Sequence, residues 1–107
     1  MELFEQCSLL VEKIKETRKS IIDSIIGILK KHDVEEIYCN YITYTPTIME
    51  SMTLDSIGLT KDNEIKFWCS NDFGNDYHFA DDLDIEILIE FYQWFIDYED
   101  ELFEQDY

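Results

Sequence analysis

Residues 2–32 carry one amphipathic helical repeat, and its length limits every fold open to the chain. Leu3, Cys7, Leu10, Ile14, Ile21, Ile25 and Ile28 recur at helical spacing, and Phe4, Val11, Ile22, Ile26 and Leu29 widen the stripe. Glu2 and Glu5 lie at the positive end of the helix dipole, and Lys30, Lys31 and His32 at the negative end. At ~1.5 Å per residue such a helix is a rod of about 46 Å. A compact domain of this chain length has a radius of gyration near ~13 Å, hence a diameter of about 33 Å. Two outcomes are open. The helix breaks near Thr17–Ser20, where the stripe turns polar for one turn, or it overhangs its own domain with apolar residues still on it. The second outcome implies a homodimer with Val11, Ile14 and Arg18 at its interface.

The chain has 107 residues and no Pro-, Gly- or Ser-rich linker, so a single domain over residues 1–107 is expected. Its 46% hydrophobic and 15% aromatic content exclude a disordered acidic tail. A chain of this size buries roughly two-thirds of its extended surface, enough for one core. The longest apolar run, Ile21 to Leu29, is interrupted by Asp23, Ser24 and Gly27 and falls short of the ~18 residues of a membrane span. The first five residues have no basic region of the secretory type, and Cys7, Cys39 and Cys69 form no paired framework. Reduced thiols and a cytoplasmic location are therefore expected.

After Asp33 the period changes. Ile37, Cys39 and Tyr41 alternate with Tyr38, Asn40 and Ile42, which predicts a strand reaching Thr45 and ended by Pro46. Residues 53–59 and 64–69 read as two more strands, joined by the turn Thr60-Lys61-Asp62-Asn63. Asn71 to Asn75 is a second turn, before a short strand at Tyr77 to Phe79. From Asp84 the helical period returns through Ile85, Leu88, Phe91, Phe95, Tyr98 and Leu102, with Asp82 or Asp84 suited to the N-cap. The expected fold is α+β: a long N-terminal helix, a three- or four-stranded antiparallel sheet and an acidic C-terminal helix. Trp68, in the third strand, is expected in the core.

Catalytic and metal-binding patterns are sparse. No Gly-rich phosphate loop, nucleophile elbow or H-E-x-x-H is present. Cys69 and His78, facing each other across a hairpin, are the minimum for a thiol nucleophile and its base. Asn71 to Asp76 resembles a calcium loop only superficially, because aligning Gly74 to the glycine position puts Cys69 and Phe73 at ligand positions. No metal, no cofactor and no enzymatic activity are expected.

Charge is the strongest signal. The net charge is −17, from 25 Asp+Glu against 8 Lys+Arg. Six basic residues lie between Lys13 and Lys31, whereas Phe67 to Tyr107 hold 13 Asp+Glu and no Lys or Arg. Direct binding to nucleic acid or to an anionic membrane is thereby disfavoured. Glu86, Glu90, Asp97, Glu101 and Glu104 form a stripe on the expected C-terminal helix, with Trp94 as an aromatic anchor if it is exposed. Carboxylates crowding the negative end of a helix cost about 0.3–1 kcal/mol each in the last turn. Two readings follow. The acidic helix docks on a basic protein partner, in the extreme case as a nucleic-acid mimic of phage or mobile-element type. Alternatively, the acidity serves solubility alone, in a homodimeric accessory protein joined through its first helix.

Overall fold

The computed structural model describes residues 2–39, 47–49 and 52–104. Helix α1 (Leu3–Lys31) is continuous over 29 residues, about 43 Å at the α-helical rise. The polar turn does not break it. The Thr17 hydroxyl donates to the Lys13 carbonyl at 2.8 Å, a bond a helix accommodates without interruption. The helix ends on a left-handed residue, Asp33, with φ 55. There the Val34 N–H donates to the Leu29 carbonyl and the Asp33 N–H to the Lys30 carbonyl, both at 3.1 Å. This is the Schellman closure, and Val34 packs back on the core beside Leu29.

Five antiparallel strands follow: β1 (Glu36–Tyr38), β2 (Thr47–Met49), β3 (Met52–Leu59), β4 (Ile65–Asn71) and β5 (Gly74–Phe79). Their order is β1-β3-β4-β5, and β2 also pairs with β3. Because β4 occupies the other side of β3, β1 and β2 share one edge. The expected strand from Ile37 is present as β1. Its continuation to Thr45 and its end at Pro46 lie outside the described residues, and β2 was not anticipated. The Thr60–Asn63 turn is confirmed: the Asn63 N–H donates to the Thr60 carbonyl at 3.0 Å and the Glu64 N–H to the Thr60 hydroxyl at 3.1 Å. In the second turn the Phe73 N–H donates to Asn71 Oδ1 at 2.9 Å, and Gly74 takes φ 152, open to glycine.

The C-terminal helix is not one element. Helix α2 (Ile85–Asp97) and helix α3 (Glu99–Phe103) are separated at Tyr98, whose φ of −108 and ψ of 16 leave the helical region. The break redirects the chain so that Leu102 is buried and Phe103 stacks on His32, with ring centroids 3.9 Å apart. Lys31 Nζ and Glu99 Oε2, 3.7 Å apart, bracket the same junction. Asp84 holds the N-cap position of α2, but through its backbone: the Leu88 N–H donates to the Asp84 carbonyl, and the side chain caps nothing.

One face of the sheet carries the core. Ile37, Leu54, Ile57, Ile65, Phe67 and Cys69 are buried against Ile21, Ile25 and Leu29 of α1 and Leu88, Phe91 and Phe95 of α2. Phe67 meets Phe91 edge to face, with centroids 4.7 Å apart at 78°. The molecule measures 55 × 34 × 26 Å. The two shorter dimensions are those of a compact body, and the long one reflects α1 running past it.

Candidate functional site

Two surfaces stand out, one on each long helix. On α2, Glu86, Glu90 and Asp97 fall on one face at helical spacing, and all three are exposed. Beside them Ile89 and Ile96 are 48% and 41% exposed. Gln93, on the same face, donates to Asp97 Oδ1 at 3.1 Å. Among the described residues no ion pair joins a basic side chain to Glu86, Glu90 or Asp97. The pairs formed are Lys19–Asp23 within α1 and Lys31–Glu99, with His32 Nε2 lying 3.9 Å from the same Glu99 oxygen. The basic half of α1 therefore leaves the acidic face of α2 unneutralised, although the two helices pack together.

Three expectations at this face change. Trp94 is 5% exposed and lies between Phe91 and Tyr98, with ring centroids 6.0 and 5.7 Å away. It belongs to the core and cannot anchor a partner: although it follows Glu90 by one helical turn, its ring is taken up between those of Phe91 and Tyr98. Glu101 and Glu104 are exposed, but the break at Tyr98 places them off the line set by Glu86, Glu90 and Asp97. Ile89 and Ile96 were overlooked as site residues. Their signal was their position beside the Leu88–Phe95 face.

On α1 every residue from Leu3 to Glu16 is exposed, and burial begins only at Thr17 and Arg18. The exposed apolar stripe of Leu3, Phe4, Cys7, Leu10, Val11 and Ile14 continues the face that buries Ile21, Ile25 and Leu29. Phe4 is 80% exposed and Leu10 63%. Val11 and Ile14 are exposed, 51% and 37%. Arg18 is not. Its guanidinium donates to the carbonyls of Ala80 and Leu83 at 3.1 and 2.5 Å, holding the 3-10 turn (Ala80–Asp82) that leads into α2. Arg18 marks where the body begins.

The outer sheet face holds an aromatic cluster. Trp68, 39% exposed, stands beside Tyr77 and is not in the core as expected, because alternation along β4 gives the inner face to Phe67 and Cys69. Lys66 Nζ lies 3.9 Å from the Tyr77 ring centroid and 4.6 Å from that of Trp68, so the ammonium rests over both rings.

Cys69 and His78 do not face each other directly across the hairpin. Cys69 lies opposite Asp76, and His78 opposite Phe67. Burial pushes the Cys69 thiol up to about 11, with the carboxylates of Asp55 and Asp76 adding to the shift, which is the wrong direction for a nucleophile. Burial likewise pushes Cys39 up, with Asp55 and Cys69 contributing. Among the described residues no three His, Cys, Asp or Glu side chains converge for a metal ion, and no helix is long and apolar enough to cross a membrane.

No protein-family model, no curated protein and no solved structure matches the chain.

Proposed function

We propose that the chain is a protein-interaction module that docks on a basic partner through α2. The observation carrying this reading is the set Glu86, Glu90 and Asp97, exposed beside Ile89 and Ile96 without a cationic partner. Such a face pairs long-range attraction, which raises the encounter rate and selects basic surfaces, with a small apolar centre that desolvates on contact. A solvated face meant only for solubility gains nothing from two half-exposed isoleucines at its edge. The three unpaired thiols suit a reducing cytoplasm as the place of action.

The experiment compares the wild-type chain with Glu86→Lys, Glu90→Lys and Asp97→Lys combined, each immobilised in a cytoplasmic extract at about 50 mM salt and eluted at about 500 mM. Across that step the Debye length falls from about 14 to about 4 Å, so a charge-steered partner leaves. One basic protein captured by the wild type, released by salt and lost with the triple variant is the expected result. Equal capture by both proteins removes α2 as the docking face. Competition by added DNA or RNA for that partner identifies the mimicry case, in which the chain occupies a nucleic-acid site.

A further inference from the structure

We infer that the overhanging half of α1 pairs antiparallel with the same segment of a second copy of this chain. This inference is independent of the α2 reading. It rests on the pattern, the charge and the position of the overhang. Leu3, Cys7, Leu10 and Ile14 repeat with the four-three-four spacing of a coiled-coil seam, and Phe4 and Val11 broaden one side of it. In an antiparallel pair Leu3 meets Ile14 of the second copy and Cys7 meets its Leu10, giving four layers related by a two-fold axis. Such an isologous pair needs only one type of surface and closes on itself.

Charge selects the antiparallel direction. Residues 2–8 carry Glu2 and Glu5 and no base, whereas residues 12–16 carry Lys13 and Lys15 with Glu12 and Glu16, followed by Arg18, held by the body, and Lys19, paired with Asp23. Antiparallel pairing sets the acidic end of each helix against the basic end of the other and opposes the two helix dipoles; parallel pairing sets like against like. It also holds the two acidic bodies at opposite ends of the paired segment, well beyond a Debye length of about 8 Å at physiological salt. The fit extends to the end of the seam. Helical side chains lean toward their own N-terminus, so Leu3 and Phe4 of the second copy cover the stripe up to the turn where Arg18 joins the body. Only four layers are covered on each copy, which places the contact at the small end of specific interfaces. The dimer is therefore of modest affinity.

Sedimentation equilibrium of the full chain from about 1 to 200 µM at about 50 mM salt tests this. The wild type is expected to move from the monomer toward twice the monomer mass. Leu10→Asp, at an exposed position, is expected to remain a monomer with an unchanged circular dichroism spectrum. Glu2→Lys with Glu5→Lys weakens the dimer on the order of fivefold, as does Lys13→Glu with Lys15→Glu, and the four changes together restore it. A wild type that stays monomeric throughout overturns self-pairing and leaves the stripe to a foreign partner. A dimer indifferent to Leu10→Asp, or a fourfold variant that does not recover, overturns the antiparallel seam.

Discussion

Single residues separate the parts of this chain that hold the fold from those that face outward. The three cysteines show it most simply. Cys7 is exposed on the overhang, while Cys39 and Cys69 are buried under the sheet. In native protein one thiol is expected to react with a thiol reagent, and all three after denaturation; reaction of Cys69 in the native state contradicts its placement. Burial also makes these thiols sensitive to alkali. An unfolded cysteine releases its proton near its ordinary value of 9.0, whereas Cys69 in the fold holds it to about 11. Below 9 both states keep the proton and stability is unaffected. Between the two values only the unfolded state loses it, so stability falls as pH rises, by about 1.4 kcal/mol per pH unit for this group. Urea denaturation at pH 8, 9 and 10 is expected to show a shallower decline for Cys69→Ala than for wild type. Parallel declines remove the assignment.

At the scale of elements, one helix serves two purposes along one face. Ile25→Ala removes a fully buried side chain and is expected to cost about 2–5 kcal/mol, whereas Leu10→Ala, on the same stripe, stays within about 0.5 kcal/mol for the dilute monomer. Equal costs at both positions mean that the overhang folds back on the body. The periodicity of α1, the turns at Thr60–Asn63 and Asn71–Asn75, and the return of helix at Ile85 were all legible, because each is a local signal. What was not legible depends on which surfaces meet. The break at Tyr98 follows from drawing Leu102 into the core and Phe103 onto His32, contacts about seventy residues apart in sequence for that stacked pair. The burial of Trp94 and the exposure of Trp68 follow from which face the sheet and helices share, and a pattern of alternation marks two faces without saying which is inside. The role of Arg18 was hidden for the same reason, since its acceptors are the carbonyls of Ala80 and Leu83. The acidic face of α2 allows a sharper test. No basic residue lies in its last turn. Asp97→Lys reverses an unfavourable dipole interaction and is expected to stabilise the fold by about 0.3–1 kcal/mol while weakening partner capture. A variant that loses both stability and capture shows Asp97 to be part of the structure, not the docking face.

At the scale of the molecule, a compact body and a projecting arm are joined by one continuous helix. The body has its own core, with fully buried side chains from α1, the sheet, α2 and α3. The arm has none, for nothing from Leu3 to Glu16 is buried. An isolated helix of that length is marginal in water, so its order depends on the helix it extends and on whatever covers its apolar face. On the two proposals made above, the faces of the chain have separate tasks: self-pairing for the arm, and docking on a basic partner for the carboxylates and two isoleucines of α2.

The most direct test of an arm completed by another molecule is amide hydrogen exchange, read residue by residue at about 2 and about 200 µM protein. Exchange at the amides of residues 7–16 is expected to slow with concentration, while that at Ile21 to Leu29 stays slow at both. Protection of the arm equal to that of the body, and the same at both concentrations, contradicts the account.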